Sequence, residues 1–124
     1  MSSAAHAEKV NLADKLGLVA EHWHPRIVGE LNGQHVKLAK IRGAFVFHQH
    51  DEADELFLVL RGKMRMEFRD RTVDLDPGEM LIVPRGVEHR PVADDEAEIL
   101  LFEPVGTVNT GNMPSERTVE AEWI

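Results

Sequence analysis

The 124-residue sequence contains no cysteine. Disulfide bonds and thiolate metal ligands are therefore unavailable, so a metal ion would have to be held by histidine nitrogens or by oxygen atoms. The lack of cysteine is also compatible with a reducing compartment, and we expect a cytoplasmic protein. Tyrosine is absent as well, which removes one common proton donor from any reactive site.

Long hydrophobic runs and basic clusters are also missing. The longest apolar runs, residues 56–60 and 80–83, are far too short to cross a membrane. Residues 1–10 lack the charged-then-apolar layout of a signal peptide. The formal net charge is −8, and lysine and arginine form no block along the chain. Because phosphate neutralisation needs a basic face, we expect neither a nucleic acid nor a membrane as a partner.

What the sequence does contain is a series of short apolar segments separated by glycine or proline turns. Residues 26–31 and 35–41 flank Asn32-Gly33, the strongest short hairpin signal in the chain. Repeated short strands of this kind predict an all-β fold, either a barrel or a double-sheet jelly roll. A chain of this length is expected to form one domain.

Two later segments carry specific predictions. Residues 80–83 are predicted to form a short buried strand. The acidic residues 94–96 are expected to form a turn, followed by a last clear strand over residues 97–103.

The two ends of the chain differ from this strand pattern. Residues 1–20 are predicted to form a polar tail and a short helical turn, ahead of the strand-rich part at residues 21–105. Residues 106–124 form a turn-rich extension whose apolar anchor is Trp123-Ile124. We expect this anchor to dock either on the strands or on a partner.

Potential metal ligands are concentrated in the middle of the chain. His48 and His50 lie two residues apart in a β-prone stretch, so on a strand both rings would leave the same face. A polar turn over residues 51–54 leads to Glu55, and two strands joined by that turn would bring its carboxylate beside the imidazoles. Two histidines and one carboxylate are a donor set used by Zn, Fe, Mn, Ni or Co.

A second stretch completes the donor set. It runs from Gly78 through a turn at Pro84 and Gly86 to a fourth donor, His89. Together, the two stretches resemble the two conserved motifs of the cupin superfamily, G-x5-H-x-H-x3-4-E-x6-G and G-x5-P-x-G-x2-H-x3-N. The first is one residue short before its first histidine, and the second ends in Ala93 where the family often has asparagine. The chain resembles small single-domain cupins, which are often labelled mannose-6-phosphate isomerase-like, and that resemblance is to the barrel.

This resemblance implies a double-stranded β-helix, the jelly-roll cupin barrel, over residues 21–105. It also implies one divalent transition metal ion per chain, with Fe, Mn, Zn, Ni and Co all left open. The implied metal ligands are His48, His50, Glu55 and His89. Three imidazoles and one carboxylate leave one or two coordination positions for water or substrate, which indicates a reactive site.

Two functions remain open at this point. The first is a metal-dependent enzyme, of dioxygenase or isomerase type, acting on a small carbonyl, hydroxy-acid or sugar-like substrate. The second is a non-catalytic module that holds a metal and a small ligand; a metal-free structural role is a third and weaker alternative. The sequence contains no phosphate-cradling glycine loop and no dinucleotide fingerprint. It assigns no catalytic residue beyond the ligands.

Strand alternation predicts which side chains face the metal and which face outward. The apolar residues expected to point inward beside the metal are Ala44, Val46, Phe57, Val59 and Ile82. The apolar residues expected to point outward are Phe45, Phe47, Leu56, Leu58 and Leu60. So many outward apolar side chains need a cover, which is either the N-terminal segment or a second subunit. We therefore expect a homodimer.

The remaining four histidines are not expected to bind metal. His22 and His24 have no carboxylate at hairpin distance, and Pro25 forces His24 into an extended conformation. We expect this segment to pack across the barrel or against a neighbouring subunit. His35 is expected at the surface, and His6 lies in the N-terminal tail with no paired donor.

Overall fold

The computed structural model describes residues 7–124 of the chain, which form one short helix and eight strands. The N-terminal residues before them, including His6, lie outside the described residues. The elements in chain order are α1 (Leu12–Leu16), β1 (Arg26–Leu31), β2 (Gln34–Ala44), β3 (Glu55–Arg61), β4 (Met64–Phe68), β5 (Thr72–Leu75), β6 (Met80–Val83), β7 (His89–Pro104) and β8 (Glu122–Trp123). The predicted all-β jelly roll with a short N-terminal helix is confirmed.

Strand β7 organises the sheet because three other strands pair with it. Most of it, from Val92 to Pro104, runs antiparallel to β2 with one register shift, its first residues pair with β4, and residues 98–102 pair with β3. The path continues as β5-β4-β7-β2-β1-β8, and β6 pairs with β3. The β1–β2 hairpin turns at Asn32 (φ 50°) and Gly33 (φ 74°), the two left-handed residues of a tight hairpin turn. This hairpin was predicted and is confirmed.

The acidic turn expected at residues 94–96 is wrong, because β7 continues through it. The side chains of residues 94–96 are exposed, while the backbone stays extended. The pairing register of β2 shifts opposite this stretch, between Ile41 and Gly43. Such a bulge takes up extra residues and bends the strand without ending it. Pairing with β2 on both sides of the bulge thus overrides the local turn composition.

The core lies between the inward faces of the strands. In β3, Glu55, Phe57 and Val59 are buried, and the alternate residues are half-buried, as predicted. Strand β6 differs from its prediction, because Met80 and Ile82 are 54% and 52% exposed. Of the strands described, only β3 pairs with β6, so β6 is an edge strand with one face open to solvent.

A second apolar cluster covers part of the outer face of the sheet. Leu16 of α1 packs with Leu38 of β2 and Val28 of β1, and Ile124 joins them. The backbone nitrogen of Ile124 donates to the carbonyl oxygen of Ile27 at 3.1 Å, and β8 pairs in parallel with β1. The chain's last residues therefore dock on the sheet. No helix in residues 7–124 is long and apolar enough to cross a membrane.

Candidate metal centre

Three separate parts of the backbone bring the candidate ligands together. Glu55 is the first residue of β3, and His89 is the first residue of β7. His48 forms an isolated bridge with His89, in which the two backbones exchange hydrogen bonds of 3.0 and 2.9 Å. The carbonyl oxygen of His50 accepts a hydrogen bond of 2.8 Å from the backbone nitrogen of Gly86. The turn at Pro84 and Gly86 therefore leads to His89 and also holds the segment that carries His48 and His50.

The four side chains form a compact buried cluster. Each offers one ligand atom, and these atoms all lie within 4.8 Å of one another. Nε2 of His89 and Nε2 of His50 lie 3.3 and 3.4 Å from Oε1 of Glu55. The whole residues are between 0 and 7% exposed. The structure thus brings together all four residues that the sequence singled out.

Hydrogen bonds on the far side of two rings set which nitrogen faces the cluster. Nδ1 of His48 donates to the carbonyl oxygen of Val46, and Nδ1 of His89 donates to that of Val87, both at 2.9 Å. Because a carbonyl can only accept, each Nδ1 carries a proton, and in the neutral ring each Nε2 then presents a lone pair. A ring oriented by its second nitrogen is the usual arrangement of a metal-binding histidine.

The donor set fits a divalent metal ion. Nε2 of His50 is buried and forms no hydrogen bond, although a buried polar atom without a partner is unfavourable. A metal ion at the centre of the cluster would satisfy this nitrogen together with the other three donors. The cluster could therefore hold a metal ion, and nitrogen and oxygen donors of this kind suit several transition metals.

The electrostatics of the cluster favour the ligating protonation states. Burial, with the nearby His89 and His50, lowers the pKa of His48 to about 4, so its ring is neutral at neutral pH. Burial acts to raise the pKa of Glu55, but its close neighbours Glu103, His50 and His89 outweigh burial and hold that pKa well below its usual range. A neutral imidazole and an ionised carboxylate are the forms that bind metal.

Glu103, at the end of β7, is a site residue that the sequence prediction missed. It is buried beside Glu55, and its Oε2 lies 2.7 Å from Nζ of the buried Lys37. Burial and the adjacent Glu55 carboxylate raise the pKa of Glu103 well above its ordinary value. Its Oε1 has no hydrogen-bond partner. The strand pattern could have revealed it, because Glu103 shares the inward parity of Ile99 and Leu101.

An aromatic cavity opens beside the cluster. Its lining includes Trp23, Phe45 and Phe57 together with His48 and Glu55. The rings of Trp23 and Phe45 stack with their centroids 4.8 Å apart, and Phe45 meets the edge of the His48 ring at 5.4 Å. The cavity therefore combines the polar cluster with a largely apolar wall.

Two of the predicted side-chain directions before the histidines are wrong. Phe45 was expected to point outward but is only 6% exposed, and Ala44 was expected inward but is exposed. Strand β2 ends at Ala44, so strict alternation does not continue to the histidines. Ile82 was also expected to face the metal and instead lies on the open face of β6.

The remaining described histidines lie outside the cluster. Nε2 of His22 is 2.7 Å from Oε1 of Glu96, and the ring of His24 lies near carboxylates of residues 21 and 122. His35 was expected at the surface but is only 8% exposed, because the ring of Trp123 packs edge-on against it at 5.7 Å. The docked C-terminus accounts for this difference.

Comparisons with known proteins point to one family. The profile described as the cupin domain matches residues 34–103. A cupin-2 domain containing protein from Shewanella frigidimarina is 43% identical, and the match covers 77% of this chain and 93% of that one with a TM-score of 0.76. Protein NMB1881 from Neisseria meningitidis is 31% identical, with 78% and 99% covered and a TM-score of 0.73.

A curated relative matches a shorter stretch. YdbB of Bacillus subtilis, an uncharacterized protein, is 38% identical over 64 residues. That match covers 51% of this chain and 57% of the relative. The chain therefore spans little more than half the length of the curated relative it matches.

Proposed function

The chain belongs to the cupin domain family, and on that premise we propose that it is a metal-dependent enzyme acting on a small carbonyl, hydroxy-acid or sugar-like molecule. The observation that carries this proposal is the buried cluster of three histidines and one glutamate beside an aromatic cavity. Dioxygenase and isomerase chemistry are the two reaction types that we propose for it. Both use a carbonyl, a hydroxy acid or a sugar-like substrate held at a metal.

In this proposal His48, His50, Glu55 and His89 hold one divalent transition metal ion, which would be Fe, Mn, Zn, Ni or Co. When bound, such an ion supplies Lewis-acid polarisation of a substrate oxygen or, if it is redox-active, one-electron chemistry. The chain's own contribution is to keep the His48 ring neutral and the Glu55 carboxylate ionised at neutral pH. The buried position of all four residues excludes bulk water from the ligand side of the centre.

The lining of the cavity favours the uncharged members of this substrate class. Of the residues that the structure describes, those lining the cavity include the carboxyl groups of Glu55 and Glu103 but no lysine or arginine. A phosphorylated sugar would bring negative charge next to these groups without a lysine or arginine in the lining to balance it. The apolar wall would instead bury the hydrocarbon part of a neutral ligand, and the unpartnered Oε1 of Glu103 would accept a hydrogen bond from its hydroxyl group.

The test begins with metal analysis of freshly purified protein and reconstitution with each of the five metals. The loaded protein is then screened for oxygen uptake with small phenols and hydroxy acids, and for interconversion of unphosphorylated aldose and ketose pairs. His89→Ala is the inactive comparison, and His22→Ala is the matched control for replacing a histidine outside the cluster. We expect turnover by the parent and by His22→Ala, with none by His89→Ala.

A non-catalytic role as a metal-holding ligand carrier is the second candidate. The small volume of the cavity favours it, because about 40 Å³ holds only roughly two or three water molecules. Saturable binding of a small ligand by the metal-loaded protein, without turnover in either screen, would identify this role. Failure of the parent to retain any of the five metals would overturn both candidates.

We also propose that the protein is a homodimer in the cytoplasm. The apolar surface available for a dimer is smaller than the sequence predicts. The guanidinium groups of Arg69 and Arg90 cover Phe47, at 3.9 and 4.7 Å from its ring centre. Phe45 is buried and Leu60 packs against the second apolar cluster. The β3–β6 face is what is left open; its apolar side chains are Leu56, Leu58, Met80 and Ile82. A second copy of this chain, placed face to face, would cover them.

A further inference from the structure

The C-terminal extension passes directly beside the two histidines at residues 48 and 50. The backbone nitrogen of Asn112 donates to the carbonyl oxygen of Gln49 at 3.1 Å. The backbone nitrogen of Gln49 donates in turn to Oδ1 of Asn112 at 2.9 Å. Gln49 lies between the two histidines, and both of its backbone polar groups are therefore held by one residue of the extension.

Gly111 brings the extension into contact with the same segment. Its backbone has φ +55°, and a Cβ atom built on it would overlap the carbonyl oxygen of Gln49 and lie 3.2 Å from Cδ2 of the His48 ring. Contacts this short with backbone cannot be relieved by rotating a side chain. Only glycine therefore lets the extension lie this close to the histidine segment.

The extension is itself tied into a compact loop that can act as a fixed support. The hydroxyl groups of Thr110 and Thr118 lie 2.6 Å apart, and Thr110 is fully buried. The side chain of Asn109 accepts from the backbone nitrogen of Val119 at 3.1 Å and donates to the carbonyl oxygen of Arg117 at 2.8 Å. Asn109 also lines the cavity beside the metal cluster. The loop thus contributes one residue to the lining of the cavity.

The histidine segment needs such a support, because it is not part of a regular strand. Strand β2 ends at Ala44 and β3 begins at Glu55. Between them, the core of the fold holds the two histidines through the bridge from His48 to His89 and the hydrogen bond from Gly86 to His50. Ligand positions have to be held closely for tight metal binding, and outer contacts commonly provide this.

We propose that Gly111 and Asn112 are positioning residues for the metal centre, which fix the segment carrying His48 and His50 from outside the cupin domain. Both lie beyond residues 34–103, the part that matches the family. The inference rests on the proposed function in one respect, namely that the cluster binds a metal. It gives the C-terminal extension a role at the site in addition to covering the sheet.

The test compares the metal affinity of four variants with that of the parent, using Zn²⁺ and Co²⁺ titrations. Asn112→Ala removes the acceptor for Gln49, whereas Asn112→Asp keeps an oxygen in the same place. Gly111→Ala introduces the overlap with Gln49. Gly106→Ala is the matched control, because Gly106 lies in the same extension with φ +88° and open space around it.

We expect Asn112→Ala and Gly111→Ala to bind both metals 10- to 100-fold more weakly than the parent, the range usual for lost outer-shell contacts. Asn112→Asp and Gly106→Ala should stay within about threefold of the parent. The urea midpoint of metal-free Asn112→Ala should fall no further than that of Gly106→Ala. The weaker metal binding of Asn112→Ala then does not come from a general loss of stability. Parent-like affinity in Asn112→Ala would overturn the proposal, whether or not Gly111→Ala folds.

A second measurement separates this inference from the proposed function. In the metal-free protein, amide hydrogen exchange at Gln49 should be at least tenfold faster in Asn112→Ala than in Asn112→Asp and the parent. If the parent binds no metal, the proposed function fails, and the exchange rates still decide whether Asn112 holds the segment. Equal Gln49 exchange in Asn112→Ala and the parent would overturn the positioning role.

Discussion

His48 shows at the residue scale how burial prepares a side chain for metal binding. Its ring is 2% exposed and close to two other imidazoles, which lowers its pKa to about 4. The same shift makes folding pH-dependent, because the unfolded chain binds a proton at His48 near pH 6.5 and the folded chain does not.

The stability of the metal-free protein should therefore fall as pH drops from 6.5 towards 4. Above pH 6.5 the contribution of His48 is fully present, and it is lost progressively as the unfolded state gains the proton. A pKa change from 6.5 to about 4 corresponds to about 3 kcal/mol of unfolding free energy. Urea denaturation in the presence of a chelator measures it. His48→Gln should flatten the curve in this window, and an unchanged slope in that variant would contradict the assignment.

The four candidate ligands should not be equally sensitive to substitution. Glu55→Gln keeps an oxygen that can still coordinate, so we expect metal affinity to weaken by roughly tenfold. His89→Ala removes the donor altogether and should weaken affinity by about a hundredfold or more. Competition of Zn²⁺ against a chromophoric chelator measures both. Equal affinities in the two variants would show that Glu55 and His89 do not differ in this way.

At the scale of the elements, two turns contain a glycine with positive φ, one after β3 and one before β6. Only the first lies against β7. Gly62 has φ +82°, and a Cβ atom there would lie 2.8 Å from the carbonyl oxygen of Glu96 and 3.0 Å from Cα of Ala97. Gly78 has nearly the same backbone angle, φ +85°, but open space around it. Alanine substitutions at these two glycines therefore distinguish the cost of a left-handed backbone from the cost of crowding against β7.

Gly78→Ala should cost about 1–2 kcal/mol, the cost of a left-handed conformation alone. Gly62→Ala should cost roughly 1–3 kcal/mol more, because its methyl group would push against the backbone of β7. Equilibrium urea denaturation of both variants gives the difference. If the two variants were equally stable, β7 would have to move away from the Gly62 turn without cost.

For the whole molecule, the open β3–β6 face is the feature that bears on assembly. Met80 and Ile82 stand exposed on an edge strand beside the half-buried outer residues of β3. Specific dimers commonly bury about 800 Å² on each partner, with an apolar centre. The β3–β6 face offers such a centre.

Light scattering at micromolar concentration should therefore give twice the chain mass of 14.0 kDa. Ile82→Lys, which places a charge in the middle of the face, should shift the mass to that of one chain. Val108→Lys is the matched control, because Val108 is similarly exposed in the C-terminal extension. A monomer mass for the parent would contradict the dimer.

The sequence by itself was enough for features set by local pattern and spacing. The alternation of β3 and the Asn32-Gly33 hairpin depend on neighbouring residues, and both were predicted. The spacing of His48, His50 and Glu55, with the Pro-x-Gly turn before His89, singled out the four residues that the structure groups within 4.8 Å. These features need little more than the period of a strand and the geometry of a turn.

Tertiary structure decided the features that depend on where a strand stops and on what lies across from it. Phe45 faces the cavity because β2 ends one residue earlier, and a break of this kind cancels the parity that alternation relies on. His35 is buried because Trp123, nearly ninety residues later in the sequence, packs on it. The contact of Gly111 and Asn112 with Gln49 likewise joins residues far apart in the chain. Such contacts leave no periodic signal, because their energy comes from packing between segments rather than from the order of residues within one.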